Sequence, residues 1–472
     1  MKRWIFYPVA ALCLAGIALA TVAFIRPEMF MARRPTIALE DAALSVPASV
    51  EKAPSMEGQW PRFRGPLGNG VSDDKTLPLE WSDSENLLWK TALPGPGASS
   101  PIIWNDRVYL TCYSGYGDGS EGPIKSLERH LLCLETATGK ILWKKTVPAV
   151  QPEDPFRGYI REHGYASSTP VTDGEHVFVF FGKSGVHCFD RDGNEKWQTS
   201  VGTKSGNRRW GSAASPILYR DMVIVNASEE SRAIWALDKK TGKEIWKAEG
   251  GALELSYGTP LVFEGEKGKP EVILSLPSEV WGLNPATGKL LWHAETEMGG
   301  NISPSLVMRG DVLFATGGYP GKHTSALRAG GRGDVTKSNI LWTSSDASYV
   351  PSPIVHGDHL YLVTDQGIAV CLDVETGNQV HRERLALKSG ESSHPVYASP
   401  ILADGKIFAV TRRSGTFILE ATPQMKRLRV NKLESDDSDF NAAPAVSRGK
   451  IYLRSNKYLY CLGRDKPVGK DN

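Results

Sequence analysis

The sequence predicts an all-β fold, an eight-bladed β-propeller of four-stranded antiparallel blades. Three observations predict it: a unit that recurs eight times, a chain rich in turn-forming residues with 47 Gly and 30 Pro, and an extra strand pattern before the first unit. The 472 residues carry a net charge of +2 without a concentrated basic run, so the composition does not favour a nucleic-acid partner.

Each repeat unit begins with a small or hydroxyl residue followed by proline. An apolar run, a polar turn and an alternating strand come next, and a second pair of strands completes the unit. Four short antiparallel strands at this period are typical of propeller blades, which bury their faces against neighbouring blades. The eight repeat prolines are Pro101, Pro170, Pro216, Pro260, Pro304, Pro353, Pro400 and Pro444.

The two ends of the repeat region predict how the ring closes. Trp89 in NLLWKTAL stands before the first complete unit, and the last unit ends without a fourth strand. We therefore expect the N-terminal strand to complete the last blade, which leaves no unpaired blade at the junction.

The stretch Asp238 to Trp246, DKKTGKEIW, recurs with variations between the third and fourth strands of several units. Asp and Gly favour a tight hairpin at this point, because Asp bonds the turn backbone and Gly accepts a positive φ. The Trp that follows is expected to pack against the next blade. The predicted interblade tryptophans are Trp89, Trp143, Trp197, Trp246, Trp292 and Trp342.

The N-terminus predicts export. Lys2 and Arg3 precede an apolar stretch from Trp4 to Ile25 that is long enough to cross a bilayer as a helix. Ala18-Leu19-Ala20 resembles a cleavage site, whereas the length of the stretch favours an uncleaved anchor. We expect an envelope-facing, periplasmic protein anchored in the inner membrane by residues 4–25. The predicted division of the chain is 1–25 signal peptide or signal anchor, 26–57 Pro- and Ala-rich linker, 58–465 propeller and 466–472 disordered tail.

The pattern A-L-D-x-x-T-G-K-x-x-W at Ala236 to Trp246 resembles the pyrroloquinoline quinone (PQQ) repeat of quinoprotein-like propellers, and the resemblance extends from about residue 60 to 464. That superfamily includes PQQ-dependent alcohol dehydrogenases. It also includes BamB-like proteins, which have no known catalysis and help to assemble outer-membrane β-barrels. Trp60 to Ser72, WPRFRGPLGNGVS, is similar to the start of PQQ-binding-like repeat proteins of the bacterial envelope.

The cysteines bear on the enzyme alternative that this resemblance implies. The dehydrogenases keep a vicinal Cys-Cys disulfide, a Ca²⁺ ion with acidic and amide ligands, and a catalytic Asp. This chain has no Cys-Cys pair; four cysteines share one repeat position and are interpreted as buried thiols, namely Cys133, Cys188, Cys371 and Cys461. We predict no catalytic residue, no metal and no cofactor, with PQQ and Ca²⁺ as the alternative.

Candidate binding residues lie in loops that interrupt the repeat. The loops into each first strand and those between second and third strands emerge on one face of a propeller, here called the upper face. Two insertions in the first unit, Ser114 to Arg129 and Pro148 to Ser168, are expected close together there, where they either bind a partner or cap the channel. Four candidates stand three residues before a repeat proline and are expected to form part of a ring at the channel mouth: Tyr257, Asn301, Tyr397 and Asn441.

The other candidate binding residues on the upper face are His163, Tyr165, Arg208, Arg209, Trp210, Glu254, Tyr349 and His394. Three local motifs are interpreted as structural: His356 to His359 (HGDH) as a hairpin, Gly317 to Thr324 as a loop without P-loop spacing, and Arg332 to Asp334 (RGD) as a Gly-rich turn. The sequence predicts a non-catalytic envelope propeller that binds a protein, peptide or glycan. The alternative is a PQQ- and Ca²⁺-dependent alcohol or sugar dehydrogenase, or a cofactor-binding quinoprotein.

Overall fold

The computed structural model describes residues 56–120, 122–265 and 269–464, and these form eight β-sheets arranged as propeller blades. The predicted signal segment, nearly all of the predicted linker and the predicted tail lie outside the described residues. No helix within the described ranges is long and apolar enough to cross a membrane.

Two strands, β1 (Val71–Ser72) and β2 (Leu87–Ala92), precede the first blade. Blades 1 to 4, each given from the innermost strand outward, comprise β3 (Ile102–Trp104), β4 (Arg107–Ser114), β5 (Glu128–Glu135) and β6 (Ile141–Pro148); β7 (Val171–Thr172), β8 (His176–Phe180), β9 (Val186–Asp190) and β10 (Glu195–Thr199); β11 (Ile217–Tyr219), β12 (Met222–Ala227), β13 (Ala233–Asp238) and β14 (Glu244–Glu249); β15 (Leu261–Glu264), β16 (Pro270–Leu276), β17 (Glu279–Leu283) and β18 (Leu290–Glu295).

Blades 5 to 8 follow the same plan. Their strands are β19 (Val307–Arg309), β20 (Val312–Gly317), β21 (His323–Arg328) and β23 (Ile340–Ser344); β24 (Ile354–His356), β25 (His359–Val363), β26 (Ile368–Asp373) and β27 (Gln379–Arg384); β28 (Ile401–Ala403), β29 (Lys406–Val410), β30 (Thr416–Glu420) and β31 (Arg427–Asn431); β32 (Ala445–Ser447), β33 (Lys450–Arg454) and β34 (Tyr458–Leu462). Two short strands are added to the edges of other sheets: β22 (Gly333–Asp334) pairs with β18 of blade 4, and β1 pairs with β28 of blade 7. The helices are short: α1 (Ile160–His163), α2 (Thr336–Asn339) and the 3-10 turns Ile124–Ser126, Gly182–Ser184 and Gly251–Leu253.

The predicted closure of the ring is confirmed. Strand β2 pairs antiparallel with β34, with Trp89 opposite Cys461, and so supplies the fourth strand of blade 8. Trp89 also packs on Tyr452, with ring centroids 5.9 Å apart, and its indole N–H donates to the carbonyl of Thr136 in blade 1. One tryptophan thus joins the first and last blades.

The hairpin glycine and the strand tryptophan are two parts of one interblade contact. Five tryptophans donate their indole N–H to a backbone carbonyl in the outer hairpin of the next blade, at 2.8–3.0 Å: Trp89 to Thr136, Trp143 to Arg191, Trp197 to Lys239, Trp246 to Pro285 and Trp342 to Val374. The same hairpin presents a glycine to the indole ring. A Cβ on that glycine would lie only 2.4–2.9 Å from ring atoms, at Gly139, Gly193, Gly242, Gly288 and Gly377.

Trp292 differs from the other five. Its ring is fully buried in a core cluster shared by blades 4 and 5, but its indole N–H donates to Glu271 Oε2 of its own blade at 2.8 Å. Blade 5 has an insertion in place of the short hairpin, and β22 in that insertion pairs in parallel with β18. The Gly333–Asp334 part of the RGD stretch is therefore an added edge strand, and its interpretation as a turn is wrong.

The cysteines and the HGDH stretch have the predicted structural roles. Five cysteines in the described chain are buried and form no disulfide, and burial raises the pKa of the Cys133 thiol to about 11. His356 and His359 are the ends of strands β24 and β25, which a two-residue turn connects. Among the described residues, no group of three or more His, Cys, Asp or Glu side chains has a geometry that could hold a metal ion.

The closure contact leads to a stability prediction. Trp89→Ala removes a ring that is only 8% exposed, together with the bond to Thr136, so we expect the free energy of unfolding to fall by about 3 kcal/mol. Leu142→Ala, on the exposed outer strand of blade 1, is the control and should change it by less than about 0.5 kcal/mol. Urea denaturation followed by tryptophan fluorescence measures both; equal losses would show that the closure strand contributes no special stability.

Candidate functional site

The central channel is closed at its lower end by residues 58–74, here called the plug. Phe63 of the plug lines the channel cavity, and Trp60 is buried against the first blade. Hydrogen bonds join the plug to five blades: Gly58 to Ser447, Trp60 to Ile103, Pro61 to Thr172, Arg64 to Pro353, Gly70 to Leu402 and Asp74 to Gly449. The WPRFRGPLGNGVS stretch therefore links five of the blades at the lower end of the ring.

Hydroxyl side chains encircle the channel at the start of the blades. In each case a backbone N–H donates to the hydroxyl oxygen of the equivalent residue in the next blade, at 2.9–3.1 Å. The chain of bonds runs from Ser100 through Thr169, Ser215, Thr259, Ser305 and Ser352 to Ser399. Blade 8 has Ala443 at this position, so the hydroxyl ring is open on one side. The hydroxyl in the repeated Ser/Thr-Pro motif thus aligns neighbouring blades.

Blade 5 departs from the sequence register. Its ring hydroxyl belongs to Ser305, which follows the repeat proline Pro304. Strand β19 correspondingly begins at Val307, so the position three before the repeat proline in other blades is occupied by Ser303. The expected place of Asn301 in the ring is wrong by two residues; its amide instead donates to the Tyr349 hydroxyl at 3.1 Å.

A cavity of about 130 Å³ lies between the plug, the hydroxyl ring and the loops of the upper face. Its wall includes a second ring of residues, two positions before each ring hydroxyl and before Ala443 of blade 8: Ala98, Ser167, Ala213, Tyr257, Ser303, Val350, Tyr397 and Asn441. Four larger side chains complete the wall on the upper side, namely Tyr159, His163, Trp210 and Tyr349. Hydroxyl and aromatic groups therefore dominate the lining.

The second insertion, residues 148–168, lies over this cavity and is here called the lid. Helix α1 of the lid reaches blade 7, where Arg412 Nη1 lies 2.6 Å from Glu162 Oε2. The Asn441 amide of blade 8 donates to the Glu162 carbonyl at 2.9 Å, and His163 Nε2 lies 2.9 Å from the Trp210 carbonyl. These contacts hold the lid over the channel cavity.

The two insertions of blade 1 contact each other, as predicted. The Tyr116 hydroxyl accepts a hydrogen bond from the Phe156 backbone at 3.2 Å, and Tyr113, Tyr116 and Phe156 surround the ring of Tyr165. Tyr165 donates its hydroxyl proton to the Asp154 carbonyl and lies outside the channel wall. It is a core residue of the lid.

The base of the lid rests on a buried cluster of charged groups. Lys183 Nζ lies 3.0 Å from Asp154 Oδ2, and Arg129 Nη2 lies 2.6 Å from Glu153 Oε2. Glu229 and Glu230 of blade 3 line the same pocket. Glu230 accepts a hydrogen bond from the Ser212 hydroxyl, and burial raises its pKa to about 8.

Glu229 connects this cluster to the channel. It accepts hydrogen bonds from the Tyr257 hydroxyl at 2.9 Å and the Gly206 backbone at 3.1 Å, while burial raises its pKa to about 7. Because Tyr257 also lines the cavity, the charged cluster and the channel share one side chain.

An aromatic patch spans the upper face above blades 3 to 7. We define it by Tyr159, Trp210, Tyr319, Tyr349 and His394. Ring centroids lie 4.5 Å apart for Tyr159 and Trp210, 5.9 Å for Tyr159 and Tyr349, 5.5 Å for Tyr319 and Tyr349, and 6.5 Å for Tyr349 and His394. Tyr319 is 58% exposed and Tyr159, Trp210 and His394 are partly exposed, whereas Tyr349 is 3% exposed and joins their rings from within the protein.

The remaining predicted residues surround this patch. Arg208 and Arg209 are exposed, and the Arg208 guanidinium lies 5.7 Å from the Trp210 ring. Glu254 accepts a hydrogen bond from the Asn207 backbone and pairs with Arg232. Six predicted residues line the cavity itself: His163, Trp210, Tyr257, Tyr349, Tyr397 and Asn441.

Sequence reasoning missed several residues of the site. Tyr159 lies in the second insertion of the first unit, where no repeat position distinguishes it from its neighbours. Tyr319 lies in the Gly-rich loop that follows strand β20. Phe63 reaches the cavity from a segment outside the repeats. Arg412 stacks on Tyr397 at 4.4 Å and holds the lid, yet in the sequence it is one of two adjacent arginines.

The lining does not fit PQQ, the cofactor of the alternative reading. PQQ is a rigid tricyclic quinone with several carboxylates, whereas the cavity measures about 130 Å³ and its wall residues are uncharged apart from the titratable His163. Pockets for molecules of such size begin at about 300 Å³. Burying carboxylates without paired cations in the wall would also be costly.

Glu230 leads to a pH prediction. Its native pKa of about 8 exceeds the value of about 4.3 for an unfolded glutamate, so the folded chain retains a proton that the unfolded chain has released between these values. Stability from this group is therefore lost as the pH rises towards 8, by at most about 1.4 kcal/mol per pH unit. His163, whose pKa desolvation lowers to about 4, acts in the opposite sense but only below about pH 6.5.

The measurement is urea unfolding between pH 7 and 8, where little of the histidine contribution remains; Glu229, whose pKa burial raises to about 7, adds to the same decline in stability. Glu230→Gln should flatten the decline seen in the unmodified chain, while the exposed Glu175→Gln should leave it unchanged. An identical slope in Glu230→Gln would mean that this carboxyl is ionised in the folded protein.

The lid anchors lead to a proteolysis prediction. Arg412→Ala removes the ion pair to Glu162 and the bond to Asn441, so the lid should open more often. Trypsin should then cleave after the exposed Arg157 and Arg161 about tenfold faster, quantified by mass spectrometry of early fragments. Arg427→Ala on the outer strand of blade 7 is the control, and unchanged cleavage in Arg412→Ala would show that other contacts hold the lid.

Comparison with solved structures places the fold among known propellers. The chain is similar to BamB from Moraxella catarrhalis, with a TM-score of 0.56 and 13% identity over 81% of this chain and 98% of that one. A europium-containing methanol dehydrogenase gives a TM-score of 0.58 and 11% identity over 86% and 98%. The computationally designed Ika8 protein gives 0.52 and 11% over 79% and 98%. Identities this low show the fold alone.

Sequence comparison identifies the family. No curated protein matches the sequence significantly. The family model described as outer membrane protein assembly factor BamB matches residues 128–383, which is more than half of the 472 residues. The repeat, the propeller and this match agree, and the chain belongs to the BamB-like family of PQQ-repeat β-propellers.

Proposed function

We propose that this protein is a non-catalytic scaffold of the cell envelope that binds an extended polypeptide segment through the aromatic patch on its upper face. The observation that carries the proposal is the continuous series of ring contacts from Trp210 through Tyr159 and Tyr349 to the exposed Tyr319. A polypeptide with its own aromatic side chains would find stacking partners across several blades.

The composition of the patch supports a protein partner. Trp, Tyr and Arg are the residues that most often carry binding energy at protein interfaces, because they bury large areas at low entropic cost. Here the exposed Arg208 and Arg209 directly precede Trp210, and the Arg208 guanidinium lies over its ring. The lid and the plug hold the patch on a rigid base, so little ordering is needed on binding.

The family supports the class of partner. Its description names an assembly factor for outer membrane proteins, and strands of such proteins alternate apolar and polar side chains with aromatic residues near the membrane interfaces. A strand of this kind could place alternate rings on the patch. We propose a location in the periplasm, with residues 4–25 as the membrane anchor.

A fluorescence anisotropy titration tests the proposal. The probe is a fluorescein-labelled synthetic peptide with the alternating aromatic and polar residues of an outer-membrane strand. Trp210→Ala and Tyr319→Ala should each weaken its binding about tenfold or more, as expected for hot-spot residues. Leu67→Ala, an exposed apolar residue on the plug, is the matched control and should bind as the unmodified chain does.

Two outcomes would contradict the proposal. Binding that is equal in all four proteins would place the peptide elsewhere. Trp210-dependent binding of a soluble peptidoglycan fragment, without binding of the peptide, would make the patch a glycan site instead.

A further inference from the structure

Two exposed arginines of the lid border Tyr159 of the aromatic patch. Arg157 lies two residues before it and Arg161 two residues after it. The Arg161 Nε donates to the Phe156 carbonyl at 3.2 Å, and no carboxylate of the described chain forms an ion pair with either guanidinium. Both side chains therefore present an unpaired positive charge to solvent.

A second pair of exposed arginines borders Trp210 of the same patch. Arg208 and Arg209 directly precede it, in the loop that enters blade 3. The Arg208 guanidinium lies 5.7 Å from the Trp210 ring, and neither arginine forms an ion pair within the described residues. A guanidinium that lies over an aromatic ring keeps N–H groups free to donate to a carboxylate.

The lid segment and the blade 3 loop form one continuous surface. The ring centroids of Tyr159 and Trp210 lie 4.5 Å apart, and His163 Nε2 lies 2.9 Å from the Trp210 carbonyl. A Cβ added to Gly158 would lie 3.5 Å from Trp210 Nε1, so the lid backbone also contacts this indole. Both arginine pairs therefore border the same two rings.

The neighbouring carboxylates already have partners. Glu162 of the lid lies 2.6 Å from Arg412 Nη1. Glu254 lies 3.2 Å from Arg232 Nη2 and accepts a hydrogen bond from the Asn207 backbone at 3.0 Å. Because the whole chain carries a net charge of only +2, the unpaired arginines around the two rings are a local concentration of positive charge.

We propose that the aromatic patch binds an acidic polypeptide segment, in which an aromatic residue packs on Tyr159 and Trp210 and carboxylates pair with the arginines beside them. This inference rests on the proposed polypeptide site and specifies the chemistry of its partner. Side chains two positions apart lie on the same face of an extended chain. Acidic residues two positions before and after the aromatic residue would therefore face the arginines that border the two rings.

Arginine suits this role for a physical reason. Its planar group can donate two parallel hydrogen bonds to one carboxylate, which fixes the orientation of the bound chain. Exposed ion pairs are individually weak, so the rings must supply most of the binding free energy. Complementary charges around them raise the association rate and disfavour a basic partner. The arginines would therefore select among segments that all carry suitable aromatic residues.

A competition among three peptides tests the proposal. The acidic peptide repeats the pattern Asp-Ser-Trp-Ser-Glu, the amide peptide has Asn and Gln in place of Asp and Glu, and the basic peptide has Lys at both positions. Each carries fluorescein and is titrated against the full chain by fluorescence anisotropy. The acidic peptide should bind about tenfold or more tightly than the amide peptide at low ionic strength. Salt at about 1 M should remove most of this preference, because it screens exposed charges.

The arginines are tested as two double variants, one on the lid and one on the blade 3 loop. Each should weaken binding of the acidic peptide about fivefold or more, mainly through slower association in stopped-flow measurements, and leave the amide peptide unchanged. The substitutions lie on exposed side chains and should retain the fold. The variants are Arg157→Gln with Arg161→Gln, and Arg208→Gln with Arg209→Gln.

Lys426→Gln with Arg427→Gln is the matched control. These two adjacent side chains are exposed at the outer edge of blade 7, and their loss removes the same net charge. Binding of the acidic peptide should then be nearly unchanged. Equal weakening in the control and in the arginine variants would mean that only the overall charge matters, which would overturn the proposal.

The remaining outcomes separate this inference from the proposed function. Equal binding of acidic and amide peptides, lost in Trp210→Ala, would overturn the acidic partner and keep the polypeptide site. Failure of every peptide to bind would overturn both. Arginine-dependent binding of phosphatidylglycerol vesicles, without a preference for the acidic peptide, would make this surface a membrane contact and overturn the inference.

Discussion

The contact between a tryptophan on one blade and a hairpin glycine on the next is the interaction on which the rest of the structure depends. It recurs at five interfaces, where the indole N–H binds the hairpin carbonyl and the ring occupies the space that a glycine Cβ would fill. Each blade is too small to bury both faces alone, so its stability comes from its neighbours. At Trp89 the same contact closes the ring.

Closing the ring creates a channel. Two segments outside the repeat enclose the cavity within that channel, which is here called the chamber. The plug braces it from below through bonds to five blades, while the lid covers it from above through Glu162 and His163. The lid has a charged base, where Lys183 and Arg129 bind its acidic residues beside Glu229 and Glu230. Burial keeps these two glutamates largely protonated at moderately acidic pH, which limits repulsion among four carboxyl groups.

The chamber and the upper face differ in chemistry. The upper face presents aromatic rings and exposed arginines, the combination found where proteins recognise proteins. The chamber is lined by hydroxyl-bearing, aromatic and small side chains, with no arginine, lysine or carboxylate among its described lining residues. Tyr257 connects the chamber to the charged base of the lid, because it lines the cavity and its hydroxyl donates to Glu229.

Repetition made the fold predictable from the sequence. The eight Ser/Thr-Pro-like starts and the T-G-K-x-x-W hairpins specify the blades, their order and the closing strand, because the same turn and strand pattern recurs in each unit. The rest depended on contacts between distant parts of the chain. The indole N–H of Trp292 bonds within its own blade, and the two-residue shift in blade 5 moves Asn301 out of the ring position. Tyr159 and Phe63 line the channel cavity, and Arg412 holds the lid over it. Such residues occur once and have no repeat by which to place them, so only the closed ring brings their side chains together.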